Sequence, residues 1–151
     1  MKNFNEYNLQ IPFFNKLCDE LNIKFPSEIQ KKSIENILEE KNQNLNKSIN
    51  IIKSEAGSGK TLVYFLYLLS YLDINDNNSI QVIYLTPTRE LALQTEEYLK
   101  IFDNEKIFYK VYIGGKANLP GKIIKEKFNF KQIPKIIVGT LGKLNKILIK
   151  N

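Results

Sequence analysis

Ile49-Asn50-Ile51-Ile52-Lys53-Ser54-Glu55-Ala56-Gly57-Ser58-Gly59-Lys60-Thr61 reads as a strand, a glycine turn and the opening of a helix. Ile49, Ile51 and Ile52 are a β-branched apolar run, and an apolar helical pattern continues from Thr61 to about Leu72. A phosphate-binding loop requires that order. Gly57 and Gly59 permit a tight turn in which successive backbone N–H groups and the helix N-terminus face phosphate oxygens. In this reading Ser54, Glu55, Ala56, Gly57, Ser58 and Gly59 cradle the phosphates of a nucleotide. Lys60 reaches the β- and γ-phosphates and the Thr61 hydroxyl holds Mg²⁺, so these two are the candidate catalytic residues. The strict pattern has glycine where this chain has Ser54; serine is small, and the flanking strand and helix supply the confirming context.

At 151 residues the chain is one domain by length. Charged residues make up 25% and apolar residues 43%, the balance of an ordinary globular protein. A net charge of +6 suits a polyanionic partner. Abundant lysine, asparagine and isoleucine would give the same charge with no selection for binding. Cys18 is the only cysteine, which excludes an internal disulfide and points to a reducing, intracellular compartment. With no histidine, a structural zinc site lacks ligands. The first residues carry neither a secretory nor a transit signal, and the run from Leu62 to Leu72 is too short to span a bilayer, so no membrane partner is expected.

Helices are predicted from Asn8 to Leu21, from Ser27 to about Glu40, from the loop to about Leu72, and from Thr88 with Leu91, Thr95, Tyr98, Leu99 and Phe102 on one face. Strands are predicted at Ile49–Lys53, Ile80–Leu85, Ile107–Ile113 and Ile136–Val138, with a last helix opening at Leu144. Lys116–Gln132 is basic and irregular. Strands and helices alternating at these lengths argue for a three-layer α/β domain with a mostly parallel sheet.

Two further segments carry chemistry with two readings each. Pro87-Thr88-Arg89-Glu90-Leu91-Ala92 follows a strand directly, and Arg89 is the chain's only arginine. An arginine there suits a backbone phosphate; equally, Thr88 caps the helix, Glu90 complements its dipole and Arg89 is simply exposed. In Pro26-Ser27-Glu28-Ile29-Gln30, Ser27 and Gln30 form a capping box. Gln30 also offers an amide that can accept from adenine N6 and donate to N7.

Together these segments resemble the first helicase domain of the DEAD-box RNA helicases. Pro26–Gln30 is similar to that family's adenine-reading Q motif, Ser54–Thr61 to its motif I, and Pro87–Ala92 matches its motif Ia letter for letter. Gly114-Gly115 falls where the family has a double glycine touching RNA, Thr140-Leu141-Gly142-Lys143 where it has Thr-Pro-Gly-Arg, and Phe4 resembles its isolated upstream phenylalanine. The resemblance implies a P-loop NTPase domain of RecA-like fold, with a Q-motif helical region at 1–40 and an incomplete ATP-binding domain at 41–151. It implies that Gln30 selects adenine, that Lys60 and Thr61 hold the triphosphate and Mg²⁺, and that Pro87, Thr88, Arg89, Gly114, Gly115, Thr140 and Gly142 lie along an RNA backbone. A second RecA-like domain is the implied partner.

The chain departs from the family at Ile23, where an aromatic usually packs on adenine, at Ala56, usually threonine, and at Leu141 and Lys143. No acidic residue follows Glu126, so the Asp-Glu-Ala-Asp motif is absent. The expectation is therefore an N-terminal fragment of an ATP-dependent RNA helicase, truncated at its C-terminal side and inactive alone, with apolar surface and strand edges exposed. The alternative is a non-catalytic nucleotide- or RNA-binding protein that ends at Asn151. A small kinase or GTPase is disfavoured, because no guanine-reading Asn-Lys-x-Asp string and no lid arginines occur.

Overall fold

The computed structural model describes residues 2–7, 9, 11, 13–42, 49–102, 107–114 and 133–148. The chain divides into two units, Met1–Tyr71 and Leu72–Asn151.

The first unit holds a 3₁₀ turn (Phe4–Tyr7) and three helices, α1 (Phe14–Glu20), α2 (Glu28–Asn42) and α3 (Lys60–Ser70). Phe4 is buried edge-on against Phe14, with ring centroids 5.3 Å apart. The helix predicted from Asn8 is shorter: α1 starts behind Phe13, whose φ of 61° is left-handed and ends any helix reaching it. Asn8 itself lies outside the described residues. Along α2, Gln30, Ser33, Ile34, Ile37 and Glu40 are buried, a stripe of helical spacing. That stripe packs on α3, where Leu62, Val63, Phe65, Leu66, Leu68 and Leu69 are all buried.

The predicted strand Ile49–Lys53 does not form. A strand needs a neighbour to complete its hydrogen-bond ladder, and among the described residues none pairs with this segment. Ile49 and Ile51 are 93% and 90% exposed.

In the second unit β1 (Val82–Thr86), β2 (Tyr109–Tyr112) and β3 (Ile136–Thr140) form a parallel sheet in the order β1-β3-β2. Ile136, Ile137 and Val138 are fully buried on the central strand, as expected where both faces are covered. One face receives Tyr112, Ile137, Leu144 and Ile147, the last two from α5 (Leu141–Leu148). Helix α4 (Arg89–Lys100) lies across the three strands and buries Ala92, Thr95 and Leu99. Leu91, predicted on that buried face, is exposed, and α5 opens three residues earlier than predicted. Among the described residues β1 is paired on one side only, and it exposes Ile83 and Leu85. Lys116–Gln132 lies outside the described residues.

Lys135 is the second unit's least expected core residue, 1% exposed. Its ammonium donates to the carbonyl oxygens of Asp73, at 3.4 Å, and Asp76, while Gln81 Nε2 donates to the same two oxygens at 2.8 and 3.2 Å. The polar loop after α3 is thereby folded around one buried cation.

Candidate functional site

Ser54–Gly59 is a turn without regular structure that leads into α3, and its two glycines take the left-handed backbone the turn needs. Gly57 has φ 77° and Gly59 φ 91°, both in the region that side chains rarely adopt. Within the loop the Lys60 ammonium donates to the Ser54 carbonyl at 2.7 Å and to that of Glu55. The Ser58 hydroxyl donates to the Glu55 carbonyl at 2.8 Å and shares a 2.6 Å hydrogen bond with the Ser54 hydroxyl. Lys60 and Ser58 thus hold the loop curled around its own carbonyls. Lys60 is half-buried at the first turn of α3, and Thr61 beside it is exposed. Ala56 and Gly57 are exposed.

The start of α2 is bound to this loop. Gln30 is 4% exposed; its Oε1 accepts from the Ser27 N–H at 2.9 Å and its Nε2 donates to the Gly59 carbonyl at 3.1 Å. The capping box is therefore half realised. The Ser27 hydroxyl goes instead to the Ser58 carbonyl, at 2.8 Å. A Cβ on Gly59 would stand 2.3 Å from Gln30 Nε2, so glycine alone admits this approach. Both readings of Gln30 need the same atoms, and here its buried amide is bonded to Ser27 and to Gly59 of the loop.

A contact that sequence reasoning missed fixes the chain entering the loop. Glu40, 8% exposed at the end of α2, accepts from Asn50 Nδ2 at 2.8 Å and from the Tyr71 hydroxyl. Burial, then the Glu40 carboxylate, pushes the Tyr71 hydroxyl up to about 12. No local pattern joins residues so far apart, so no signal in the sequence could have found it.

In the second unit the remaining candidates gather at the C-terminal ends of parallel strands, where open α/β sheets bind ligands. Thr86 pairs with Thr140, and Tyr112 with Gly139. Pro87, Thr88 and Arg89 follow β1, Gly114 follows β2, and Thr140 and Gly142 mark the passage from β3 into α5. Thr88 caps α4, its Oγ1 accepting from the Leu91 N–H at 3.2 Å. Arg89 is exposed, and its Nη2 comes within 3.7 Å of where a Cβ on Gly114 would lie, an ordinary van der Waals distance that places the guanidinium beside that glycine. Gly142 faces open space. Gly139 is needed for packing, since a Cβ there would meet the Tyr112 carbonyl at 2.4 Å. Gly115 lies outside the described residues. Among the described residues no helix is long and apolar enough to cross a membrane.

A family model described as DEAD/DEAH box helicase matches residues 27–151. A probable ATP-dependent RNA helicase of Methanocaldococcus jannaschii is 39% identical over 146 residues, which cover 94% of this chain and 35% of that protein. The DEAD-box ATP-dependent RNA helicase CshC of Bacillus cereus is 32% identical over 138 residues, 91% of this chain and 32% of that protein. Among solved structures, S. cerevisiae Dbp5 bound to RNA and ADP BeF3 matches with a TM-score of 0.74 at 28% identity, over 99% of this chain and 34% of that one. The RNA helicase Prp28 of Chaetomium thermophilum bound to ADP gives 0.71 at 25% identity, over all of this chain and 35% of that one. The chain thus spans about a third of the length of the relatives it matches.

Proposed function

Because the chain belongs to the DEAD/DEAH box helicase family and shares the RecA-like α/β fold of its solved relatives, we propose that it is the nucleotide-binding front portion of an ATP-dependent RNA helicase. Residues 1–40 bring Gln30 to an ATP-binding domain formed by 41–151. The observation that carries this reading is the union of two distant motifs: the Gln30 amide and Ser27 hydroxyl bonded to Gly59 and Ser58 of the loop. A loop that binds triphosphate then has a base-reading amide beside it.

In this reading the N–H groups from Gly57 to Thr61 and the Lys60 ammonium receive the phosphates, Lys60 exchanging the Ser54 and Glu55 carbonyls for β- and γ-phosphate oxygens. The hydroxyl of Thr61 suits Mg²⁺, which would neutralise charge on the phosphates when bound. Pro87, Thr88, Arg89, Gly114, Gly115, Thr140 and Gly142 contact the phosphates and sugars of one RNA strand, which fixes register without reading sequence. Lys143 adds a point charge rather than a bidentate fork.

Phosphoryl transfer also requires a carboxylate for the metal and the attacking water. No acidic residue follows Glu126 in these 151 residues, so alone they bind ATP without hydrolysing it at a helicase rate. A second RecA-like domain, in an intracellular and reducing setting that keeps Cys18 a thiol, completes the proposed machine. The test is a titration of the Gln30→Ala variant with ATP and with GTP: ATP affinity should fall while GTP affinity is kept. Equal losses would end the adenine-reading role, and robust RNA-stimulated ATPase activity from the 151 residues would end the assignment of binding alone.

A further inference from the structure

Glu40 ends the buried stripe of α2, yet it is a carboxylate where another isoleucine would pack at lower desolvation cost. What the carboxylate adds is two directed hydrogen bonds, and they end on opposite flanks of the Ser54–Gly59 loop. Oε1 accepts from Asn50 Nδ2 at 2.8 Å, in the segment that leads into Ser54. Oε2 accepts from the hydroxyl of Tyr71, the residue that closes α3 and whose N–H donates to the Tyr67 carbonyl at 3.4 Å. With its hydroxyl pushed up to about 12, Tyr71 remains a donor at any ordinary pH.

The stretch from Asn50 to Tyr71 therefore begins and ends on one side chain. Its middle is held at the other end of α2, where the Ser27 hydroxyl and Gln30 Nε2 bond the carbonyls of Ser58 and Gly59 at 2.8 and 3.1 Å. Gln30 and Glu40 stand about three turns apart on α2, roughly 15 Å along its axis. Fully extended, the chain from Asn50 to Gly59 would span about 30 Å, so it has slack between these anchors. The left-handed glycines at 57 and 59 let the slack curl, and the anchors set where it curls. Ile49 and Ile51, on either side of Asn50, are almost fully exposed, so apolar packing does little to hold the entry.

Resting on the proposed reading of residues 54–61 as a triphosphate site, we infer that Glu40 is a positioning residue for that site. It holds the entry of the loop through Asn50 and the end of the loop's helix through Tyr71, so the loop is set before phosphates arrive. Anion binding needs several N–H groups converging on one point. A loop with a loose entry must be ordered when the ligand binds, and that cost lowers the affinity. Glu40 acts on the loop and not on base choice. Its loss should be felt by every triphosphate, with or without a base.

The experiment titrates the full chain with ATP, GTP and inorganic tripolyphosphate in Mg²⁺ buffer. It compares wild type, Glu40→Ala, Glu40→Gln and Asn50→Ala, each shown to be folded by its urea curve. Glu40→Ala should bind all three ligands about tenfold more weakly, unlike the adenine-selective loss expected of Gln30→Ala. Glu40→Gln should restore binding, because its amide oxygen can accept from Asn50 while its amide nitrogen donates to the Tyr71 oxygen. Asn50→Ala, at an exposed position, should reproduce the loss, and it carries the test where Glu40→Ala does not fold. A lowered urea midpoint with unchanged affinities would make Glu40 a contact of the fold alone and overturn the inference. So would a loss confined to the nucleotides, or a Glu40→Gln variant that binds no better than Glu40→Ala. In each of these cases the phosphate-loop reading stands. Wild-type chain that binds neither ATP nor tripolyphosphate would overturn that reading and this inference together.

Discussion

The side-chain amide of Gln30 lies 3.1 Å from the carbonyl oxygen of Gly59, 29 residues further along the chain, and only a missing Cβ lets it come so close. A methyl group at Gly59 would sit 2.3 Å from Nε2, on a backbone already at φ 91°. Gly59→Ala should therefore destabilise the fold by about 2 kcal/mol, combining left-handed strain with the displaced amide. Gln30→Ala removes the clashing group, so the double variant should be more stable than the sum of the two losses by about 1 kcal/mol. Urea unfolding of the four proteins measures this. Strict additivity would mean that the two residues are not coupled.

Lys60 reaches back to two loop carbonyls, one of them the Ser54 oxygen at 2.7 Å, and in the proposed function it trades them for phosphate oxygens. Lys60→Ala should cost about 1 kcal/mol of stability, the worth of a typical hydrogen bond, yet weaken ATP binding about 100-fold. Calorimetric titration beside a denaturant curve separates the two quantities. A variant that binds ATP as the natural chain does would remove Lys60 from the site.

How much of this was legible in the sequence depends on how far each contact reaches along the chain. The glycine turn at Ser54–Gly59, the Thr88 cap and the helix after it rest on neighbours within a few residues, and these elements stand where the residue pattern put them. The parallel sheet was legible from the near-continuous apolar run at Ile80–Leu85 and from the alternation of strands with helices. The strand at Ile49–Lys53 was read from β-branching alone; pairing is non-local, and no described strand lies beside it. Ser27 shows the same limit. Its spacing to Gln30 spelled a capping box, but the hydroxyl finds a partner 31 residues away. Glu40 and Lys135, with partners up to 31 and 62 residues away, left no pattern to read.

Lys135 gives the second unit a buried cation satisfied by main-chain oxygens of the Asp73–Asp76 loop. Lys135→Met retains most of the apolar stem and deletes the charge. Gln81 Nε2 still donates to both carbonyls, so neither is left without a partner and the loss should be modest, about 1–2 kcal/mol. Lys135→Ala also leaves a cavity and should cost about 2–4 kcal/mol. Thermal or urea unfolding ranks them. Equal stability of Lys135→Ala and the natural chain would show that this lysine carries no weight in the core.

Cys18 is 4% exposed in the first unit, and burial, followed by the charge of Asp19, pushes its thiol up to about 12 from an ordinary 9.0. A folded-state value above the unfolded one means that the unfolded chain gives up its proton first as pH rises. The resulting stabilisation is intact below pH 9 and is lost progressively between there and 12. Relative to Cys18→Ala, the natural chain should lose stability above that lower limit, by at most about 1.4 kcal/mol per pH unit. The common titration of the lysines cancels in the difference between the two proteins. Urea midpoints on either side of the limit, converted to free energies, give that slope, and alkylation of the native thiol should stay slow throughout. A difference that does not change with pH would mean that Cys18 titrates alike in the folded and unfolded chains.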